Sequence, residues 1–407
     1  MNQWLDNHVV HFMQRFRYPA QMYPLTHDEF YLDKTNFFYD QFMFTWGHVP
    51  RGAFTADERI RNGKVDPRQG FESCGIVEGN KSFYILGEIT GKAEYADKIE
   101  DLTFNWLPAS HTPDLKALRY IFASNMARSV SQMDYHNHGQ HPVFAASMHR
   151  CCQHNTAMGW PWFTKNMWKA SHDNGLVAWL YGPSVVTAKA GGNSEDVKIT
   201  MNTSYPFEDM VELKMNMDGK ENFPLYLRIP GWADPLTLKV NGSEKEITGK
   251  AGKYIKIDQE WKNGDIVNIE FYPDITLHKY PRTKAVTVDR GPLSYSVHIK
   301  ENWVKTETDR FGWDKWEVLP ASPWNYGIDI EEFNTTNIEV SRAKEIPQQP
   351  WSENTVPLKL KVPAKKILDW KESVSNTVDA LREGPVRSDE PTEYIEMIPM
   401  GAAHIRM

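Results

Sequence analysis

The stretch HDNGLVAWLY, residues 172–181, marks the change in pattern that decides the fold. Before it, apolar residues recur every three or four positions, which indicates amphipathic helices. The predicted helical segments are 8–23, 29–46, 72–90 and 93–106. After it, apolar and polar residues alternate in short runs, which indicates β-strands. The sequence therefore predicts a mixed chain, with a helical region over residues 1–174 and a strand region over residues 175–407.

The second region has the turn chemistry of an antiparallel β-sandwich. Dipeptides such as Pro230-Gly231 and Asn241-Gly242 separate its short runs, and Asn-Gly is a strong hairpin signal. A Trp- and Pro-rich segment at about residues 300–355 has weak periodicity, and we expect it to form an ordered excursion from the sandwich. The predicted strands are 176–181, 197–203, 225–229, 236–240, 253–257, 266–271, 356–362 and 393–399.

Composition excludes several classes of protein. The formal net charge of −7 argues against nucleic acid as a partner. The sequence has no run of about 20 apolar residues, so we expect no membrane span. The 13% aromatic content argues against disorder. These features are typical of a globular protein with ample core-forming residues.

Three cysteines, Cys74, Cys151 and Cys152, are too few for a disulfide framework. With Glu72 they make a donor set that suits Zn²⁺. Glu72 and Cys74 share a direction only at a helix start or in extended backbone, and the cysteine pair can ligate together if the chain turns there. The spacing alone leaves two readings open, which are a metal site and buried core thiols.

Other polar residues lie in predicted loops. The Asp57-Glu58 pair follows the second helical segment, where carboxylates are either solvated or act as a general acid and base. His136, His138 and His141 precede the cysteine pair, and we expect a solvated loop there in preference to a sugar pocket.

Three runs carry a family resemblance: ADERIRNGKVDPRQGFESCGIVE at 56–78, FNWLPASHTPD at 104–114 and RCCQHNTAMGWPWF at 150–163. They resemble glycoside hydrolase family 127, the β-L-arabinofuranosidase-like enzymes. LYLRIPGWA at 225–233 and the closing IPMGAAHIRM are also similar to the family. The resemblance extends over nearly the whole chain and implies an (α/α)₆-type barrel, of which this chain would hold the second half, followed by β-sandwich domains.

The resemblance also implies the roles of individual residues. Glu72, Cys74, Cys151 and Cys152 would hold a zinc ion. Cys151 would be the nucleophile and Glu58 the acid/base. His8, Tyr120 and Asn125 would lie near the sugar. Two positions depart mildly from the family pattern, since Ala56 replaces a glycine and Ser73 replaces a threonine.

The expected function is that of a retaining glycosidase acting on a plant-type glycan. The alternative is a non-catalytic, zinc-stabilised carbohydrate-binding or scaffold protein. A helical half-barrel would leave an inner face poorly buried, so we expect either a homodimer or a truncated form of a longer protein. The first residues lack the layout of a signal peptide, and an extracytoplasmic location is expected only if the start is truncated.

Overall fold

The computed structural model describes residues 8–60, 68–131, 142–146, 149–193, 195–247, 249–372, 378 and 384–407. Within these ranges the helices come first and antiparallel sheets follow, so the predicted mixed fold is confirmed. The half-barrel, the sandwich and the division at residue 174 stay predictions. None of the described helices combines the length and apolar character that crossing a membrane requires.

Six α-helices occur among the described residues of the first part of the chain, and short 3₁₀ turns occur at Pro19–Met22 and Pro108–Ser110. The third helix and the next two match the predicted segments closely, because their apolar residues keep a helical period. The helices are α1 Val9–Arg15, α2 Tyr23–Thr26, α3 Phe30–Trp46, α4 Ser73–Thr90, α5 Glu94–Asn105 and α6 Arg150–Lys165.

Helix α4 is the centre of this region, and it packs against α1, α5 and α6. It is buried over most of its length, which explains why apolar residues occur around its whole circumference. It ends at Gly91, whose φ of 66° is the left-handed conformation that glycine adopts without strain. Helix α5 returns alongside it and buries Tyr95, Ile99 and Leu102 on one face, as the periodicity predicts.

The strands form five sheets. Two short strands, β1 Phe71–Glu72 and β2 Ile121–Phe122, pair within the helical region, and β3 is Phe144–Ala145. The remaining strands are β4 Trp168–Ala170, β5 Leu176–Ala178, β6 Ser184–Ala190, β7 Glu195–Asn202, β8 Met210–Asn216, β9 Lys220–Arg228, β10 Leu236–Val240, β11 Ser243–Glu244, β12 Tyr254–Lys262, β13 Ile266–Phe271, β14 Ile275–Lys279, β15 Val286–Arg290, β16 Leu293–Val297, β17 Glu301–Thr308, β18 Asp314–Pro320, β19 Tyr326–Ile328, β20 Glu339–Arg342, β21 Leu358–Lys366 and β22 Glu393–Pro399.

Sheet order follows mostly from hairpins. One sheet has the order β11-β10-β13-β8-β7-β6 and a second has the order β12-β9-β5-β4. A third has the order β14-β15-β16-β22-β21-β19, with β20 paired to β21. The described pairs are antiparallel except β5 with β9. Alternate residues of strands such as β8 and β10 are buried, which is the period-two pattern that a sheet with one buried face requires.

The Trp- and Pro-rich segment contains four strands, β17 to β20. Strand β18 pairs with β17 on one side and with β3 of the helical region on the other. In that register Trp316 lies opposite Phe144. The predicted excursion is therefore ordered. Its strands β17 and β18 return to the helical region through β3, whereas β19 and β20 extend the third sheet by pairing with β21.

A buried arginine joins the two regions. Arg228, at the end of β9, contacts the carboxylates of Asp97 and Glu100 on α5 through its two terminal nitrogens. Its Nε donates to the carbonyl oxygen of Trp179 over 2.6 Å. The guanidinium has no solvent exposure, so its charge depends entirely on these partners.

We expect Arg228→Ala to lower the free energy of unfolding by about 3–5 kcal/mol, because removing one partner leaves buried charge uncompensated. Urea unfolding followed by circular dichroism measures this loss. Lys220→Ala is the control, since it breaks an exposed pair with Glu260 and should change the free energy by less than about 1 kcal/mol. Equal effects of the two changes would contradict the proposed link between α5 and β9.

Candidate metal centre and active site

The two groups of cysteines lie at the beginnings of two helices. Glu72 is the N-cap of α4 and Cys74 is its second residue. Cys151 and Cys152 are the second and third residues of α6, and His149 before them has a left-handed φ of 62°. The sequence predicts a turn at the cysteine pair; the structure shows the first turn of a helix. Helix N-termini carry unpaired N–H groups and partial positive charge, which favour thiolates.

The four predicted ligands converge. The Sγ atoms of Cys74 and Cys152 are 3.1 Å apart, and Cys152 Sγ is 4.0 Å from Glu72 Oε1. One ligand atom from each of Glu72, Cys74, Cys151 and Cys152 lies within 4.8 Å of the other three. Cys151 is exposed and the other three residues are buried. We call this set the Glu-Cys cluster.

The donor set fits a divalent metal ion. In a tetrahedral zinc site, bonds of about 2.3 Å to sulfur place the ligand atoms about 3.7 Å apart, which is within the range of the cluster. Oε2 of Glu72 is buried and accepts no hydrogen bond from the described residues, and its contact with Nε2 of His8 is as long as 3.5 Å. A buried carboxylate oxygen that accepts no hydrogen bond is costly, and a bound cation would satisfy it.

A series of backbone pairings brings other residues beside the cluster. His8 pairs with Arg59, Asp57 pairs with Phe71, and Phe71 in turn pairs with Phe122. The backbone N–H of Ser73 donates to the carbonyl oxygen of Tyr120 over 2.8 Å. These pairings align four chain segments side by side, and each segment contributes a polar side chain to the same place.

His8 connects the two glutamates. Its Nε2 lies 3.6 Å from Glu58 Oε1 and 3.5 Å from Glu72 Oε2. The side chain of Glu58 is 32% exposed, whereas that of Glu72 is 1% exposed. The imidazole of His8 therefore lies between the exposed carboxylate of Glu58 and the buried carboxylate of Glu72. The Glu58 carboxylate is accessible to a ligand from solvent.

The surroundings shift the pKa values of Glu72 and of the three cysteines in different directions. Burial raises the pKa of the Glu72 carboxyl to about 8. The pKa of the Cys151 thiol is lowered, because the thiols of Cys152 and Cys74 donate to its sulfur. The contact that each makes with Cys151 is the first cause that raises the pKa of Cys74 and of Cys152.

The other predicted sugar contacts have different surroundings. Tyr120 lies at the cluster, and burial followed by the Glu72 and Glu58 charges raises its pKa. Asn125 is half-buried and donates to Met407 Sδ over 3.8 Å, so its place near a sugar stays a prediction. His136, His138 and His141 lie outside the described residues.

One residue of the site was not predicted from the sequence. The ring of His149 lies 5.3 Å from that of Tyr120 at 31°, and His149 directly precedes α6. Asp57, which the sequence analysis names only as one of a carboxylate pair, is buried, with 1% exposure, and its Oδ1 accepts from the N–H of Gly70. No sequence pattern indicated either contact, because each joins residues that are not neighbours in the chain.

The sequence of this chain was compared with models of protein families and with curated proteins. Two family models match the chain, "Beta-L-arabinofuranosidase, GH127 catalytic domain" over residues 6–165 and "Beta-L-arabinofuranosidase, GH127 middle domain" over residues 175–272. Among curated proteins, none matches this chain.

Solved structures share the fold. A structure titled "Glycoside hydrolase" is 20% identical to this chain, with a TM-score of 0.71. The matched region covers 98% of this chain and 64% of that structure's chain. A GH127 beta-L-arabinofuranosidase from Geobacillus stearothermophilus is 18% identical, with a TM-score of 0.68. The matched region covers 98% of this chain and 58% of that enzyme's chain. A GH127 beta-arabinofuranosidase has 18% identity, a TM-score of 0.66 and the same coverage of both chains. This chain thus spans less than two thirds of the length of each.

The descriptions of the two matching models define the class of this chain, which is that of the glycoside hydrolases. The two matching models together span well over half of the sequence. The chain belongs to glycoside hydrolase family 127.

We expect the purified chain to bind a divalent metal ion, and we expect Cys74→Ser and Cys152→Ser to lose most of it, because a hydroxyl does not replace a thiolate ligand. Elemental analysis after dialysis measures the loss. Ser73→Ala is the control, since Ser73 lies between two ligands but donates to the carbonyl of Arg119. Full metal content in both cysteine variants would contradict the assignment of the cluster.

Proposed function

We propose that this chain, as it stands or as part of a longer protein, is a retaining glycosidase of the β-L-arabinofuranosidase type. The observation that carries the proposal is the convergence of the Glu-Cys cluster with Glu58, joined through His8. The relatives in the family and the titles of two similar structures name this activity. The substrate class is a terminal β-L-arabinofuranoside or a related plant-type glycan.

The proposed ion is zinc, held by Glu72, Cys74, Cys151 and Cys152. Sulfur donors with one carboxylate suit this metal better than magnesium or calcium, which take oxygen ligands. When bound, zinc keeps its cysteine ligands deprotonated at neutral pH.

Cys151 is the proposed nucleophile. Its side chain is exposed, whereas the other two cysteines are buried, so only its sulfur faces an incoming sugar. Its lowered pKa provides a thiolate. In the first step the sulfur forms a bond to the anomeric carbon while the bond from that carbon to the leaving oxygen breaks. The product of this step is a thioglycosyl group on Cys151.

Glu58 is the proposed acid/base. In the first step it gives its proton to the leaving oxygen, and in the second it takes a proton from water. That water attacks the anomeric carbon, the carbon–sulfur bond breaks, and the Cys151 thiolate is restored. His8, which is 3.6 Å from the Glu58 carboxylate, orients it, and His8 and Tyr120 are placed to bind sugar hydroxyls.

A second function rests on the number of ligands. A site closed by four protein ligands is typical of structural zinc, and the Glu-Cys cluster offers four. The chain would then be a zinc-stabilised carbohydrate-binding or scaffold protein. It would bind zinc and sugar without turnover.

We expect Cys151→Ser to reduce hydrolysis of an aryl β-L-arabinofuranoside by about 10⁴-fold or more, because removing a nucleophile removes the covalent step. Mass spectrometry of the wild-type chain, quenched during turnover, should find the sugar on the peptide that contains Cys151. Undiminished hydrolysis by the serine variant would refute the nucleophile assignment. Zinc and sugar binding without turnover in the wild type would favour the second function.

Glu58→Gln should slow glycosides with poor alkyl leaving groups by about 10²–10⁴-fold, because these need a proton from the general acid. Nitrophenyl glycosides, whose leaving group departs without protonation, should lose much less in their first step. Glu94→Gln, the same change on an exposed side chain of α5, is the control. Equal losses for both leaving groups would show that Glu58 is not the acid.

A further inference from the structure

Glu58 lies in a turn after α3, outside the helices and strands of the described residues. Its carbonyl oxygen accepts from the N–H of Val9 over 2.9 Å, which ties the loop to the start of α1. This bond fixes one side of the residue. The other side depends on Asp57, which directly precedes it.

Asp57 is held to Gly70 by both its backbone and its side chain. The N–H of Asp57 donates to the carbonyl oxygen of Gly70 over 2.8 Å. The N–H of Gly70 donates back to Oδ1 of Asp57 over 2.6 Å. Asp57 is 1% exposed, so water does not compete with these bonds. We call this reciprocal pair the Asp57–Gly70 clamp.

The backbone conformation makes aspartate a fitting residue here. Asp57 has a φ of 53°, in the left-handed region that aspartate and asparagine adopt more readily than other residues with a Cβ. A left-handed residue reverses the local course of the chain. Glu58 therefore points away from the direction that a continued strand would give it, and toward His8.

Gly70 is equally constrained. A Cβ at this position would lie 2.1 Å from Cγ2 of Ile121 and 3.3 Å from Oδ1 of Asp57. Only glycine lets the Asp57 loop come this close to β2. Gly70 is followed directly by β1, which carries Glu72, so the clamp joins the loop of the acid to the strand of the buried ligand.

We propose that Asp57 is a positioning residue for Glu58, and that its clamp on Gly70 sets the distance between the Glu58 carboxyl and the cluster. The proposal rests on the proposed function of Glu58 as the general acid. Asp57 itself is not expected to touch the substrate.

The test uses Asp57→Ala and Asp57→Asn in the full chain. Alanine cannot accept the Gly70 N–H and is disfavoured in left-handed backbone. With alkyl leaving groups, we expect kcat/KM of the alanine variant to fall at least about tenfold more than with a nitrophenyl leaving group, because a misplaced acid fails only where protonation is needed. The amide oxygen of asparagine accepts the same bond, so this variant should recover most of the loss.

Asn241→Ala is the matched control. Asn241 is also left-handed, with a φ of 51°, and its Oδ1 accepts from the N–H of Ile266 over 2.9 Å. It lies in a hairpin of the strand region. The Asn241→Ala change should lower kcat/KM by the same factor for alkyl and for nitrophenyl leaving groups, because a general loss of stability does not depend on the leaving group. The double variant Asp57→Ala with Glu58→Gln should be no slower than Glu58→Gln alone, because the two changes act on the same step.

The outcomes separate the two levels of the proposal. If Glu58→Gln shows the leaving-group effect and Asp57→Ala does not, the positioning role is overturned while the proposed function stands. If neither shows it, the proposed function of Glu58 fails. If the chain shows no turnover, crystal structures of the wild type and of Asp57→Ala test the positioning role directly. We expect the Glu58 carboxylate to leave its 3.6 Å contact with His8, and a retained contact would overturn the proposal.

Discussion

Three sulfur atoms and a buried carboxylate lie within 4.8 Å of one another, and this crowding is the constraint around which the helical region is built. Four such groups cannot all be negative in a buried place without a cation. Burial, followed by the charges of Cys151 and Glu58, raises the pKa of Glu72 to about 8, and the sulfur atoms of Cys74 and Cys152 lie 3.1 Å apart. Two helix N-termini supply partial positive charge, and a metal ion would supply the rest.

The surroundings of the cluster are formed by extended backbone. From His8 to Phe122, segments distant in sequence pair through main-chain hydrogen bonds, and these pairings bring Glu58 next to the buried ligand. The arrangement is specific because Gly70 admits no side chain. It also explains the asymmetry of the two glutamates, since Glu72 is inside the pairing and Glu58 is at its solvent edge.

Arg406, in the strand region, packs against the extended segments that surround the cluster. Arg406 pairs with Met126 through the backbone, and its guanidinium donates to the carbonyl oxygens of Met400 and Ala403. The same group lies 4.8 Å from the centre of the Phe122 ring, the residue that pairs with Phe71 beside Glu72. The end of the strand region therefore packs directly against the residues that carry the site, and the two regions depend on each other for stability.

Local patterns were sufficient for several elements. The period of Tyr95, Ile99 and Leu102 is enough to predict α5, and Glu72 and Cys74 are so close in sequence that a helix start alone brings their side chains together. Helix α6 was missed because Gly159 and Pro161 interrupt its pattern, and residues that disfavour helices are tolerated where tertiary packing compensates.

The sequence by itself thus determined the mixed fold, helices α3 to α5, eight of the described strands and the kinds of donor atom. Only the tertiary structure decided that His8, Glu58, Glu72 and the cysteine pair share one place, and that Asp57 and Gly70 join their supports. The reason is physical: helix and strand periods arise from neighbours a few residues apart, whereas the site depends on contacts across as many as 80 residues. Such contacts depend on the packing of the whole chain and leave no periodic trace in the sequence.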